Sequence, residues 1–285
     1  MVGRSSAMMV AVGLLAAGCI GGSSEPETAV DAWFAEVATV APAQPAWLSG
    51  VDLDGVDPSA TDVNGLRIDG LLAVQAAAAI ETTEGPLGVT PDRTVYLADG
   101  TSELGLEGWS EATIGSTLVS APDARILDLI ATSHEEEQTF KTMPGIRRVA
   151  DALATHPVWY WTISPPVTMP PPFTETELEE LGVPPLLAAY DAVGVGVVTT
   201  ADDHRLIVVF EHDSPAAAAE NRTRVEAQLA SSEMQTGWSF DELYTTERIE
   251  VDGTRLELEL VVLQDLRYEH MLLVRPSNLF MTAAN

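Results

Sequence analysis

Histidines, carboxylates and one cysteine are the side chains of this 285-residue chain that could carry chemistry. His134 opens the run HEEEQ. A zinc-binding helix of the H-E-x-x-H kind needs a second histidine four residues on, because residues i and i+4 share one helix face. Position 138 is Gln, so the run reads as the solvated acidic end of a helix. VDLDGVD (51–57) sets acids at 52, 54 and 57, with Asp62 and Asn64 further on. Oxygen-rich loops of this kind can hold calcium. The spacing is not that of an EF-hand, and no glutamate closes the loop, so a solvated turn is expected and no metal site. His134, His156, His204, His212 and His270 are scattered, with His204 in a hairpin turn and His212 at a strand-to-helix turn. There is no G-x-S-x-G, S-x-x-K or phosphate-loop pattern. Gly194-Val195-Gly196 is a lone GxG inside a strand. Asn221-Arg222-Thr223 matches a glycosylation sequon, but it falls in the middle of a helix and is given no role. No catalytic residue and no cofactor is assigned.

The cysteine is the more specific signal. MVGRSSAMMVAVGLLAAGC ends at Cys19, the only cysteine of the chain. Arg4 is the one charge, and residues 5–18 are apolar or small. Fourteen residues are too few for a membrane-spanning helix, which needs about 20. They match the apolar region of a secretory signal, roughly 7–15 residues after a basic start. Ala16, Ala17 and Gly18 then lead directly into Cys19. This resembles the lipobox of prokaryotic lipoproteins: a leucine, two or three small residues, then cysteine. The family's leucine sits three residues before the cysteine. Here that position is Ala16, and Leu15 lies one further out. The resemblance covers residues 1–19 only. It implies that the Cys19 sulfur receives a diacylglycerol, that residues 1–18 are removed, and that the mature chain is exported and held at the cell membrane or outer membrane with its body outside the cytoplasm. Two acyl chains give stable anchoring where one does not.

Trp159, Tyr160 and Trp161 are the other residues singled out. In a strand the two tryptophans would face one side and Tyr160 the other. Next to the proline-rich run SPPVTMPPPF they are a candidate surface for an apolar ligand or an envelope protein. The competing reading makes them core aromatics under a loop.

Charge narrows the partners. Fourteen basic residues meet 43 acidic ones, a net charge of −29. Loss of residues 1–18 leaves 13 basic residues and all 43 acids, a net charge of −30. Nucleic acid is excluded, because phosphate binding needs a basic footprint. Anionic lipid would repel such a surface, so attachment through acyl chains on Cys19 is the consistent route to a membrane. The composition, 46% hydrophobic and 20% charged, is that of a globular body.

The elements follow from local pattern. Ser24, with Glu25 and Glu27 behind it, predicts a helix start, and Val30, Trp33, Phe34 and Val37 fall at helical spacing. Leu48–Leu53 and Gly65–Ile68 read as short strands. LLAVQAAAAIETTEG (71–85) reads as an alanine-rich helix, RTVYLADG as a strand and ATIGSTLVSA (112–121) as one strand. Residues 122–137 and 145–156 read as helices, and VWYWTI as a strand. Thr174 and Glu177 make a capping box for a short acidic helix. Strands at 189–200 and 205–212 are joined by ADDH. A helix over 214–232 starts with Ser214 and Pro215. Strands at 245–251 and 254–263 are joined at Asp252-Gly253. The expected fold is α+β, with two similar ββαββ-like halves, mostly antiparallel sheets and covering helices. The expected division is a signal (1–18), an anchor and flexible linker (19–26), an N-terminal half (27–158), an aromatic strand with proline-rich connection (159–174) and a C-terminal half (175–285). The functional expectation is a lipid-anchored envelope protein that binds or scaffolds. The alternative is an extracytoplasmic hydrolase whose site forms only in three dimensions. A cleft gathering a histidine with two carboxylates would favour the enzyme, and an exposed aromatic patch near Trp159 would favour binding.

Overall fold

The computed structural model describes residues 28–41, 45–52, 62–63, 66–67, 76–80, 94–99, 108–121, 123–166, 175–180, 186–200, 203–230 and 240–263. Cys19, the linker behind it, most of the proline-rich run and His270 lie outside these residues.

The protein is α+β. Its strands are β1 (Pro45–Val51), β2 (Asp62–Val63), β3 (Leu66–Arg67), β4 (Ala76–Ile80), β5 (Thr94–Asp99), β6 (Ser110–Ile114), β7 (Thr117–Ala121), β8 (Tyr160–Ser164), β9 (Ala192–Thr199), β10 (His204–Glu211), β11 (Tyr244–Asp252) and β12 (Arg255–Val262). Its helices are α1 (Ala29–Glu36), α2 (Ala124–Glu135), α3 (Ile146–Leu153), α4 (Glu175–Glu180), α5 (Pro215–Leu229) and α6 (Phe240–Leu243). Ten strands form one antiparallel sheet, in the order β11-β12-β10-β9-β8-β1-β4-β5-β7-β6, and β2 pairs with β3 alone. From the central β1–β8 pair the order runs β4-β5-β7-β6 on one side and β9-β10-β12-β11 on the other. Each side therefore holds three strands in chain order, followed by a hairpin whose second strand lies inside.

Two expectations are corrected here. The alanine-rich segment is not a helix: its described part, Ala76–Ile80, is β4, paired with β1 and β5. Alanine favours helix by only a few tenths of a kcal/mol per residue over most others. The run also lacks the polar stripe that a surface helix needs, and a uniformly apolar segment suits a strand inside a sheet. ATIGSTLVSA is not one strand. Ile114 pairs with Thr117, and the chain turns at Gly115, whose φ of +61° favours glycine. A smaller shift concerns the last hairpin, where Asp252 pairs with Arg255, so its connection is Gly253-Thr254.

The caps are local. Thr28 accepts from the Asp31 N–H, Asp123 from Arg125 and Ser214 from Ala217, so each first turn has a side-chain acceptor for an otherwise orphan donor. Ser24, the expected first cap, lies outside the described residues, and the cap of α1 is Thr28. Among the described residues no helix is long and apolar enough to cross a membrane.

Strand alternation divides the core in two. On β8–β10 one face presents Trp161, Ile163, Ile207 and Val209 to α1 and α3, and α2 covers β6 and β7 in the same core. The other presents Tyr160, Val193, Val195, Val197, Leu206, Val208 and Phe210 to Val225 of α5, to Leu187 and Tyr190, and to Phe240 of α6. Gly194 and Gly196 let α3 lie against β9. A Cβ on Gly194 would stand 2.5 Å from Val149 Cγ1, and one on Gly196 would stand 2.5 Å from Val158 Cγ1 and 3.1 Å from Leu153 Cδ2. The GxG of the sequence is thus a helix-packing surface.

Candidate functional site

At the β11 end of the sheet the helix-covered face gives way to charge. β12 alternates strictly: Leu256, Leu258 and Leu260 are fully buried on one face, so Arg255, Glu257 and Glu259 take the other. β11 adds Arg248, Glu250 and Asp252 beside them, with Arg248 opposite Glu259, Glu250 opposite Glu257 and Asp252 opposite Arg255. Two carboxylates directly opposite are repulsive. Arg248 offsets this by bridging both: its Nη1 donates to Glu250 at 2.9 Å and its Nη2 to Glu257 at 2.5 Å. From β10, Arg205 donates to Glu259 at 2.5 Å and Asp203 at 3.0 Å, and it pairs with Glu247 at 3.4 Å. His156, in the turn after α3, brings its Nε2 to 3.3 Å from Glu257 Oε1. A polar cavity of about 220 Å³ opens among Thr155, His156, Arg248, Arg255 and Glu257, with Glu250 and Asp252 at its rim.

The electrostatics define what this arrangement can do. The hydrogen bond from His156 holds the Glu257 carboxyl below the usual carboxylate range, with Arg248 and Arg255 acting in the same sense against the cost of burial. A carboxylate stabilised in that way is a weak proton acceptor, whereas a general base works best with a pKa near the operating pH. Among the described residues lining the cavity the one hydroxyl is that of Thr155, and its hydrogen is committed to the Ala152 carbonyl at 2.7 Å. Among the described residues no three His, Cys, Asp or Glu side chains are placed to hold a metal ion. Glu250 and Asp252 turn outward, with side chains 62% and 83% exposed.

The residues singled out in the sequence fall elsewhere. Trp159, Tyr160 and Trp161 are all buried, at 8%, 8% and 1% exposure. They do not form the exposed patch considered above. Their sides also differ from expectation. Trp161 lies in the core under α1, edge-on to Trp33 with ring centroids 5.7 Å apart, while Trp159 and Tyr160 share the other core. Trp159 precedes the regular part of β8, where alternation no longer governs it, and its indole N–H donates to Thr199 at 2.9 Å. Thr199 in turn meets His204 Nδ1 at 2.9 Å. His134 ties α2 to the Thr39 carbonyl through Nδ1 at 2.9 Å, and Glu135, Glu136 and Glu137 are exposed. Of the carboxylate run 51–57 only Asp52 is described in addition to Val51, and its N–H donates to the Trp159 carbonyl. Cys19 lies outside the described residues.

Sequence reasoning missed the charged face, although a signal existed. In TTERIEVDGTRLELEL both strands of one hairpin place charges at every second position, which puts a ladder of them on one side of the sheet.

No family model matches the chain, and no curated protein matches it in sequence. Among solved structures, crystal form I of TP0453 is similar at a TM-score of 0.42 and 9% identity, over 85% of this chain and 97% of that one. Crystal form III of TP0453 is similar at 0.41 and 9%, over 83% and 96%.

Proposed function

We propose that this chain is an exported envelope protein, anchored through acyl chains on Cys19, with a binding or scaffolding role. We further propose that its two sides, β1-β4-β5-β7-β6 and β8-β9-β10-β12-β11, are copies of one unit, a revised form of the ββαββ halves expected from the sequence. The observation that carries the anchoring is the lipobox-like LLAAGC in a chain with no other cysteine and a net charge of −29. The charged face of β11 and β12 supports the binding reading: Glu250 and Asp252 are exposed on it, while its one buried carboxylate, Glu257, is already held by Arg248, Arg255 and His156.

A hydrolase is the second reading. It draws on His156 meeting Glu257 beside Glu250 and Asp252, which is the gathering of a histidine with carboxylates that would mark a cleft of that kind. The depressed Glu257 and the committed Thr155 hydroxyl weigh against it.

The anchor is tested by labelling cells that express the full chain with radioactive palmitate. The expected result is label in the wild type, none in Cys19→Ser, and a shift of that variant from the membrane to the soluble fraction. Equal partition of the two forms contradicts the reading.

A further inference from the structure

His212 is fully buried where β10 leads into α5. Two contacts fix where its proton sits. Nδ1 lies 2.9 Å from the Thr254 carbonyl, which can only accept, so Nδ1 carries the hydrogen. Nε2 lies 2.9 Å from Asn221 Nδ2. The Asn221 amide cannot turn round. Its Oδ1 accepts from the Ala188 N–H at 2.6 Å, and its Nδ2 donates to the Ala188 carbonyl at 3.0 Å. Nε2 must therefore be the acceptor. An imidazolium donates from both nitrogens, so protonation would set N–H against N–H inside the core.

The charged groups around the ring are Glu211 and Asp213 on either side, Asp191 just before β9, and Arg148 of α3. Arg148 donates to Glu211 at 2.7 Å and to Asp191 at 3.2 Å, which takes up much of their charge. Thr254 reaches in from the β11–β12 connection, and Asn221 from α5. Burial pushes the His212 imidazole below its ordinary value, although the Thr254 carbonyl, Glu211, Asp191 and Asp213 act in the opposite sense.

We propose that His212 is an acid-released latch. Protonation unfastens α5 and the Leu186–Tyr190 segment from the sheet and uncovers the apolar face of β9, β10 and β12. Both elements meet at the same polar contact, in addition to their apolar packing through Val225, Leu187 and Tyr190. Asn221 joins His212 to Ala188, and Arg224 of α5 holds the Leu186 carbonyl at 2.5 Å. An open state lets the imidazole titrate near 6.5, while the latched state keeps it neutral, so opening rises as pH falls below about 6.5. Between pH 7.5 and 5.5 the rise is about tenfold.

Hydrogen exchange read by mass spectrometry on the full chain, corrected for intrinsic exchange rates, tests this. The expected result is about tenfold more opening of 215–229 and 186–190 at pH 5.5 than at 7.5, with α2 unchanged. Asn221→Asp keeps an acceptor for the Ala188 N–H and sets its second oxygen against Nε2, where it accepts from an imidazolium although it also faces the Ala188 carbonyl, so its pH response should reverse. His212→Asn should abolish the response. Exchange in α5 that is flat with pH in the wild type overturns the latch, with no variant required. So does an equal rise in α5 and α2, which would be global loosening, and so does a folded Asn221→Asp that responds like the wild type.

Discussion

Replacing Trp161 by alanine should lower stability by about 3–5 kcal/mol, with a fall in the thermal midpoint of roughly 10 °C. Trp161 is 1% exposed and sits where the two sides of the sheet join. Its ring lies edge-on to Trp33 at an interplanar angle of 85°. Directly opposite on β1 stands Gly50, and a Cβ there would collide with the indole at Cε2 and Cζ2. The ring thus fills space that a side chain on Gly50 would otherwise take. Deleting it leaves a cavity whose walls, Leu48, Ile163 and Trp33 among them, belong to a packed core. Gly50→Ala alone should cost about 1–3 kcal/mol by overpacking. The double variant should cost clearly less than the sum, because the new methyl enters the space that the indole vacates. Chemical denaturation of the four proteins measures this, and strict additivity would show that the two residues do not share that space.

Asn221→Leu should have an effect of similar size, about 3–5 kcal/mol, although leucine fits a helix better than asparagine. Asn221 is fully buried, and its amide is the partner of the Ala188 N–H, the Ala188 carbonyl and His212 Nε2. Leucine, branched alike but bulkier and without polar atoms, leaves all three unsatisfied in the interior, each at about 1–3 kcal/mol before relaxation. The denaturation midpoint should fall with little change in its slope. A variant within 1 kcal/mol of the wild type would mean that water replaces the amide without loss.

These two residues also mark what the sequence could and could not reveal. Periodicity and caps were legible wherever the structure depends on near neighbours. The apolar spacing of Val30, Trp33, Phe34 and Val37, the Ser214-Pro215 start of α5 and the alternation of β10 and β12 are all local. The pairing of β1 with both β4 and β8 is not, and the alanine run went wrong for that reason: its strand state comes from its neighbours in the sheet and not from its own propensity. Trp161 was visible as an aromatic in a strand, but its facing Gly50 lies more than a hundred residues earlier. Asn221 was visible only as a sequon, because nothing local shows that Ala188 and His212 close on its amide. At the candidate site the alternating charges of β11 and β12 could be read, whereas the approach of His156 to Glu257 depends on α3 lying across the sheet.

The proposed location and role both depend on Cys19. The most direct measurement is the intact mass of the protein purified from membranes of a cell that processes it. The expected species is a chain that begins at Cys19 and carries a diacylglycerol on its sulfur. A mature chain that retains residues 1–18, or one with a free thiol at Cys19, would contradict it.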